Sequence, residues 1–331
     1  MIAWLRFGFL IGLFFFFIPS FLSAQPSYRT QEVYQAPTDR VQVWLPSGDA
    51  VIRGSVGEDE IVITTTSRVS GAIDSLTFRG KEFIDSYDHG RQLQSALNLD
   101  AGTPIAVETY NPTEAGSRRD GLGPRSSSRL LHLIKTENSL QTTTQMAFWV
   151  PPGEYTLGQL AKNETLLSNF LVTKSLTIGD GFLKNVIPYT VTFTVPLGEW
   201  HTEAVFEALT GYMPPEFDQF WKYYPDQEAL APLSQETGEQ AYPVVLATKS
   251  GDYAMGIYSP DQPSPGYEHI GYGRFLFEEA KVTKWNCVFR FKEPVTGIEP
   301  GPYTFRMFVI VGDLEMVEDS MRKLHQRHEL E

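Results

Sequence analysis

The sequence is short of cysteine, since Cys287 is the only one among 331 residues. One cysteine cannot close a disulfide within the chain, so a large apolar core must stabilise the fold. Cys287 lies in an alternating strand pattern, where a lone cysteine is more often a small buried side chain than a nucleophile. Paired cysteines for a structural zinc site are also missing.

Positive charge is scarce as well. The chain has 27 Lys and Arg against 40 Asp and Glu, which gives a formal net charge of −13 at pH 7. A nucleic-acid-binding protein needs a basic face, and an anionic lipid surface would repel an acidic chain. We therefore expect no nucleic-acid partner and no electrostatic docking to membranes.

Signature motifs of several enzyme classes are absent from the sequence. There is no Gly-Xaa-Ser-Xaa-Gly elbow, no phosphate-binding Gly-Lys-Ser/Thr loop and no His-Glu-Xaa-Xaa-His motif. We assign no cofactor and no metal site to the chain.

One long apolar run is present, at the N-terminus. Residues 1–24 place one basic residue before an apolar stretch over residues 7–18 and end on small residues. This is the layout of a secretory signal peptide, with cleavage expected after Ala24. If it is not cleaved, the run would act as a membrane anchor, because it is only slightly short of a spanning helix. We expect an extracytoplasmic protein, periplasmic or secreted, with no membrane span after cleavage, an N-terminal extension over 25–39 and a single domain over 40–331.

Short strand patterns separated by turn residues fill the chain from residue 40 onward. Residues 189–195 alternate apolar side chains with threonines, which is the period-2 pattern of a half-buried antiparallel strand. Residues 129–136 and 140–150 predict a hairpin. The sequence therefore predicts an all-β fold, a large antiparallel β-sandwich.

Helix is predicted at two places. Residues 314–328 follow Asp313, a good N-cap, and their apolar residues recur at helical spacing. Acidic residues early and basic residues late match the helix dipole. We expect this C-terminal helix to close over the sheet. Residues 215–223, with Pro215 in the first turn, predict a second, short helix.

The stretch from Asp85 to Ser128 is the strongest candidate for a binding or catalytic site. Its polar residues are flanked by Gly and Pro, which fix turns, and turns on a rigid scaffold commonly carry binding groups. The alternative is a solvated loop. Histidine titrates near neutrality, so it can act as a general acid or base. The candidate catalytic residues are His89, Tyr110 and Glu114, and Glu108 with Glu114 is the carboxylate pair to test first. The candidate substrate-binding residues are Arg91, Gln92, Gln94, Asn111, Arg118, His269, Arg274 and Trp285.

Many aromatic residues stand beside amides, carboxylates or arginines in the sequence. A sugar offers an apolar face of C–H groups and a rim of hydroxyls, so aromatic rings beside planar polar groups are its chemical complement. We therefore expect a carbohydrate partner. Trp149 and Trp200 are expected instead to pack inside the sandwich.

Residues 70–83 resemble the opening of galactose-mutarotase-like β-sandwich proteins. In that group a strand pair of the form Gly, hydrophobic, polar, Ser-Leu, polar, Tyr/Phe, Gly-Lys-Glu precedes the first site residues. Here the segment reads Ser-Gly-Ala-Ile-Asp-Ser-Leu-Thr-Phe-Arg-Gly-Lys-Glu-Phe. The group includes sugar epimerases, polysaccharide lyases and sugar-facing domains of glycoside hydrolases. The resemblance thus implies a supersandwich fold and, for an enzyme, one of these three activities.

The lyases of this group use sets of Asn, His, Tyr and Arg, and the resemblance implies Asn111, His89, Tyr110 and Arg91 as their counterparts. In a lyase, an Arg or Asn would neutralise a uronate carboxylate while a Tyr or His removes the proton alpha to it.

Three functions stay open. The first is an exported protein that processes a polysaccharide or oligosaccharide. The second is a carbohydrate-binding module without an acid/base pair. The third is a non-catalytic envelope protein whose loops bind a protein partner. The sequence leaves the oligomeric state open.

Overall fold

The computed structural model describes residues 46–102 and 104–330. The predicted signal peptide over 1–24 and the extension over 25–39 lie outside the described residues. Within the described part of the chain, no helix is both long enough and apolar enough to cross a bilayer.

Strands dominate the described chain. The first eleven are β1 Ala50–Val56, β2 Asp59–Thr65, β3 Ile73–Phe78, β4 Lys81–Glu82, β5 Leu93–Leu99, β6 Pro112–Thr113, β7 Arg129–Lys135, β8 Ser139–Phe148, β9 Tyr155–Thr156, β10 Gln159–Leu160 and β11 Leu167–Thr177. The others are β12 Val186–Val195, β13 Glu203–Met213, β14 Gln219–Tyr224, β15 Ala229–Pro232, β16 Gly238–Gln240, β17 Val244–Ala247, β18 Ala254–Tyr258, β19 Tyr272–Phe277, β20 Val282–Lys292 and β21 Gly301–Gly312. The single α-helix of the described residues is α1, Leu314–Glu329.

Antiparallel pairing arranges these strands in two layers. Sheet I runs in the order β7-β8-β11-β12-β21-β18-β17-β14-β15. Sheet II runs in the order β16-β19-β20-β13-β5-β3-β2-β1. The short strand β6 bridges β5 of sheet II and β8 of sheet I, and β4 pairs with β3. The predicted large antiparallel sandwich is confirmed.

The main core lies between the two sheets, because one face of each sheet is apolar. Phe193 and Phe305 of sheet I meet Phe206 and Phe289 of sheet II, with ring centroids 5.2 Å apart for Phe193–Phe206 and 4.3 Å for Phe289–Phe305. Burying each such ring contributes about 1.5–3 kcal/mol. The alternation predicted over residues 189–195 is confirmed in β12, whose apolar residues are buried while its threonines are half-buried.

Helix α1 covers the outer face of sheet I. Asp313 is its N-cap and accepts a hydrogen bond from the backbone N–H of Met316. Val317, Met321 and Leu324 are fully buried on a second apolar cluster. The predicted C-terminal helix is confirmed, and because it is the single α-helix of the described residues and packs on sheet I, no α-helix of this part of the chain covers the outer face of sheet II.

The short helix predicted over residues 215–223 is wrong. Residues 219–224 form β14, which pairs with β17 on one side and β15 on the other. Phe220 is buried in the core between the sheets, whereas Tyr223 is buried on the side of α1. A strand buried on both faces loses its polar alternation, and the aromatic spacing then imitates a helix.

Candidate functional site

The outer face of sheet II lines a cavity of about 430 Å³. Six strands and three connecting segments contribute. The lining residues are Gly90, Gln94, Ala96, Asn98, Ile105, Val107, Glu108, Asn111, Thr113, Trp149, Val205, Glu207, Thr210, Tyr212, Glu239, Phe275, Lys284, Asn286 and Arg290. The floor is polar because alternate side chains of β5, β13 and β20 point away from the core.

A β-bulge in β13 places its polar residues on one face. The pairing register with β20 shifts between Glu207 and Leu209, which inserts an extra residue. The insertion reverses the alternation, so Thr210 and Tyr212 join Val205 and Glu207 at the cavity.

An ion pair between Glu207 and Lys284 occupies the floor. Lys284 Nζ lies 3.1 Å from Glu207 Oε2, and the side chains are 13% and 20% exposed, with Lys284 the more buried. Thr210 donates a second hydrogen bond to the same carboxylate, at 3.0 Å. Burial alone would raise the pKa of Glu207, but Lys284 outweighs it and holds that pKa below its usual value. Burial would lower the pKa of Lys284, but Glu207 and Tyr212 outweigh it and leave the pKa raised.

Two aromatic rings flank this ammonium group. Lys284 Nζ lies 5.2 Å from the ring centroid of Tyr212 and 5.2 Å from that of Phe275, within the range of cation–π attraction. Burial raises the pKa of the Tyr212 hydroxyl, so this group stays protonated at neutral pH. The floor therefore holds a carboxylate, an ammonium group and a neutral phenol side by side.

A second ion pair crosses β19 on the same face. Arg290 Nη2 of β20 lies 2.5 Å from Glu239 Oε2 of β16. Gly273 of β19, which pairs with Glu239 on one side and Asn286 on the other, has no side chain, and a Cβ there would come within 2.3 Å of Asn286 Oδ1. Neither Asn286 Oδ1 nor Arg290 Nη1 has a hydrogen-bond partner among the described residues, although both atoms are buried. Such groups are free to bond a ligand.

The walls are partly apolar. Trp149 lies against Gly90, where a Cβ would come within 2.7 Å of its ring. Val107 is 60% exposed at the mouth of the cavity. Glu108 has a left-handed backbone with φ of +64°, and its carboxylate accepts a hydrogen bond from Thr156 at 2.6 Å. A non-glycine residue seldom adopts this conformation, and such strain is concentrated at functional sites.

Two of the predicted site residues, Gln94 and Asn111, line the cavity, and both are committed to the backbone. Gln94 donates to the carbonyl of Gly90 and accepts from the N–H of Ala115, while Asn111 donates to the carbonyl of Leu97. These two amides shape the wall.

The three predicted catalytic residues lie outside the cavity. Both ring nitrogens of His89 face backbone carbonyls, those of Gly121 and Arg68, at 2.7 and 2.9 Å. The Tyr110 hydroxyl donates to a carboxylate at 2.7 Å, and burial raises its pKa. Glu114 is fully buried and pairs with a lysine in the core. We expected these three residues to meet in one site. They do not meet at the cavity, because each side chain is bonded to partners within the protein.

The predicted arginines are also committed elsewhere. Arg91 lies 3.3 Å from a carboxylate oxygen of Asp88 and 3.5 Å from one of Asp85. Arg118 pairs with Glu154 at 2.9 Å. Arg274 is on the face of β19 opposite Phe275 and donates to the carbonyl of Gly238 at 3.1 Å. None of these three arginines lines the cavity, so none of them is placed there to neutralise a uronate carboxylate.

The remaining predicted residues are scattered. Gln92 is buried and donates to Ser86 Oγ and to the carbonyl of Asp88. His269 is exposed on a loop. Trp285 is fully buried in the core, where Gly211 leaves room for its ring. The expectation that Trp149 and Trp200 pack inside the sandwich is wrong: Trp149 lines the cavity and Trp200 is 64% exposed.

The charged floor was not predicted from the sequence, although the sequence contains a signal for it. In β20 the polar residues Lys284, Asn286 and Arg290 occur at even positions, whereas Trp285, Cys287 and Phe289 occur at odd ones. The pattern indicates one polar face, but sequence alone does not distinguish a cavity from open solvent. Within the described residues, no group of three or more His, Cys, Asp or Glu side chains is arranged to hold a metal ion.

No family model matches the sequence, and no curated protein matches it. Solved structures do resemble the fold at low identity. The α-galactosidase from Lactobacillus brevis is 7% identical with a TM-score of 0.45, and the match covers 85% of this chain and 42% of that one. An α-mannosidase from Enterococcus faecalis V583 is 10% identical with a TM-score of 0.46, covering 87% and 32%. A protein from Synechocystis sp. PCC 6803 is 8% identical with a TM-score of 0.37, covering 82% and 99%. The chain thus spans less than half the length of the two glycosidases it resembles, and these structural neighbours include carbohydrate-active enzymes.

Proposed function

We propose that the cavity on the outer face of sheet II binds an uncharged carbohydrate and that the protein is an exported carbohydrate-binding protein. One observation carries the proposal: aromatic rings stand beside ion-paired and amide groups in a single cavity. Its volume of about 430 Å³ falls within the usual range for small-molecule sites.

The apolar and polar parts of the lining suit the two sides of a sugar ring. Trp149, Tyr212 and Phe275 offer aromatic surface for the C–H face. Asn286 and Arg290 each present a buried polar atom that has no partner among the described residues, and hydroxyl groups can both donate to and accept from such atoms.

The charge balance favours an uncharged ligand over a uronate. Lys284 and Arg290 are each paired with a carboxylate, and Glu108 adds a third negative charge to the lining. A uronate carboxylate would have to take Lys284 from Glu207 or Arg290 from Glu239. The displaced glutamate would then be a partly buried carboxylate without a cation, which is unfavourable. A sugar hydroxyl can bond to these groups without breaking the pairs.

The protonation states favour binding over acid–base catalysis. The lowered pKa of Glu207 and the raised pKa values of Lys284 and Tyr212 keep all three groups in one form near neutral pH. A general acid or base works best with a pKa near the working pH. No histidine of the described chain lines the cavity.

The test is a screen of the full protein on an array of neutral, amino and uronic glycans, followed by calorimetry with the best neutral ligand. Trp149→Ala removes the largest ring of the wall and should weaken binding about tenfold or more. Glu207→Gln should weaken it as well, because it leaves Lys284 without its carboxylate. Phe182→Ala is the matched control, since Phe182 is 76% exposed and lines neither this cavity nor any other described here.

Absence of neutral glycan binding at millimolar concentration would refute the proposal. Binding that is unchanged in both cavity variants would refute this location. Release of new reducing or unsaturated ends from a bound glycan would show processing, and a protein ligand with no glycan binding would favour an envelope adaptor.

A further inference from the structure

The carbohydrate cavity brings an amide oxygen and an aromatic ring together beside Gly273. Gly273 of β19 pairs with Asn286 of β20, and Phe275 follows two residues later on the same face of β19. A Cβ on Gly273 would lie 2.3 Å from Asn286 Oδ1 and 2.6 Å from a ring carbon of Phe275. Both side chains line the cavity. Because both lie so close to one point, the acceptor and the ring are neighbours, and a side chain at position 273 would displace them.

Two buried polar atoms of opposite kind lack partners in this cavity. Asn286 is 3% exposed, and its Oδ1 accepts no hydrogen bond from the described residues. Arg290 Nη1 donates none to these residues, while Nη2 lies 2.5 Å from Glu239 Oε2. Glu239 pairs with Gly273 from its other side, so this bond holds the guanidinium group at the part of the cavity where Asn286 lies. An unpaired buried donor and an unpaired buried acceptor are both unfavourable, which indicates a ligand that supplies one acceptor and one donor.

The substituents common on sugars differ in how well they meet these three groups. A carboxylate brings no donor for Asn286, and an ammonium group brings no acceptor for Arg290. A hydroxyl can bond to either atom but leaves the Phe275 ring without an apolar contact. An acetamido group carries a carbonyl acceptor, an N–H donor and a methyl group, so it can satisfy both polar atoms and cover the ring.

We propose that the carbohydrate cavity recognises an N-acetylated amino sugar. The acetamido N–H donates to Asn286 Oδ1, its carbonyl accepts from Arg290 Nη1, and its methyl group packs against Phe275. The inference rests on the proposed function, because it names the class of neutral sugar that the cavity binds. The acetamido group is uncharged, so both ion pairs of the floor remain intact.

Calorimetry on the full protein tests the inference with two series of sugars that differ in one substituent. The first series is N-acetylglucosamine, glucose and glucosamine, and the second is N-acetylgalactosamine, galactose and galactosamine. In at least one series the acetamido sugar should bind about tenfold more tightly than the parent sugar, since it adds a hydrogen bond and a buried methyl group. The free amine should bind more weakly than the acetamido sugar, because it offers Arg290 no acceptor.

Two variants test the location. Asn286→Leu removes the acceptor at similar volume, and Gly273→Ala adds a Cβ that displaces both Asn286 Oδ1 and the ring of Phe275. Each should weaken binding of the acetamido sugar severalfold and reduce its advantage over the parent sugar. Asn138→Leu is the matched control, because Asn138 is exposed in the turn between β7 and β8 and does not line the cavity. It should leave all affinities unchanged.

The outcomes separate this inference from the proposed function. Binding of neutral sugars with equal affinity for acetamido and parent compounds in both series would overturn the inference alone. Absence of binding by any neutral glycan would refute the proposed function and the inference with it. An acetamido preference that persists in both Asn286→Leu and Gly273→Ala would also overturn the inference, because the preference would then arise elsewhere. Circular dichroism of each variant separates a lost contact from a lost fold, and the comparison of sugars on the unaltered protein needs no variant.

Discussion

The ion pair between Glu114 and Lys174 allows the sharpest test of the core. Both side chains are 0% exposed, and Lys174 Nζ bonds directly to a carboxylate oxygen of Glu114. The other carboxylate oxygen accepts the backbone N–H of Ser95 at 3.1 Å. The pair thus joins β11 of sheet I to the segment after β6, inside an apolar core.

Removing one partner of the pair should lower the free energy of unfolding far more than removing both charges. Lys174→Met leaves a buried carboxylate with one hydrogen bond, and breaking a buried pair in this way costs about 3–5 kcal/mol. That is a large share of the roughly 5–15 kcal/mol by which a domain is stable. Glu114→Gln leaves a buried ammonium group, but burial already lowers the pKa of Lys174, so this group can lose its proton and the loss should be smaller. The double variant Lys174→Met/Glu114→Gln keeps the bond to Ser95 and buries no charge, so it should be more stable than Lys174→Met.

Urea unfolding followed by tryptophan fluorescence measures these differences, with the slope checked for constancy. The double-mutant cycle should give a coupling energy of about 2 kcal/mol or more. Arg53→Met is the control, because the Arg53–Glu60 pair is 56% and 53% exposed and such pairs contribute about 0–1 kcal/mol. Additive losses, or a Lys174→Met loss no larger than the control, would refute the reasoning.

Three further predictions concern other elements of the fold. Burial alone would lower the pKa of His201, but the hydrogen bonds and charges of Glu199 and Asp100 outweigh burial and leave this pKa raised. The stabilisation from the protonated imidazole is therefore complete below the unfolded pKa of about 6.5 and is lost as pH rises through the folded pKa. The free energy of unfolding should thus fall as pH rises above about 6.5. His201→Gln should abolish that fall in urea titrations, and a persisting fall would assign it to another group. Gly90→Val should displace Trp149, whose ring lies within 2.7 Å of the new Cβ, and should weaken glycan binding while the melting temperature drops only slightly; unchanged affinity would contradict the role given to this wall. Asp313→Ala removes the N-cap of α1 and should cost about 1 kcal/mol in urea unfolding, whereas Asp313→Asn should retain most of it.

Local patterns predicted the regular elements well, because each depends on neighbouring residues. The alternation in β12, the hairpin of β7 and β8, and the helix after Asp313 are all readable from periodicity and capping. The sequence did not predict β14. Phe220 and Tyr223 are buried on opposite faces of this strand, so its aromatic residues follow a helical spacing although they form no helix.

The candidate site was harder to predict, because it depends on which side of a strand faces which surface. The stretch from Asp85 to Ser128 does supply part of the cavity wall, but its most reactive residues turn inward. His89 bonds two carbonyls and Glu114 pairs with a lysine far along the sequence. The charged floor comes from β13, β16 and β20, and only the bulge after Glu207 brings Thr210 and Tyr212 to the same face. No local signal predicts these long-range registers.

The self-neutralised floor of the carbohydrate cavity has a consequence for the medium in which the protein works. Lys284 and Arg290 already carry their own counter-charges in Glu207 and Glu239. A ligand that exchanges only hydrogen bonds with them releases no counterions, so added salt has little to screen. A protein built this way would hold its ligand with nearly the same affinity in dilute and in concentrated salt.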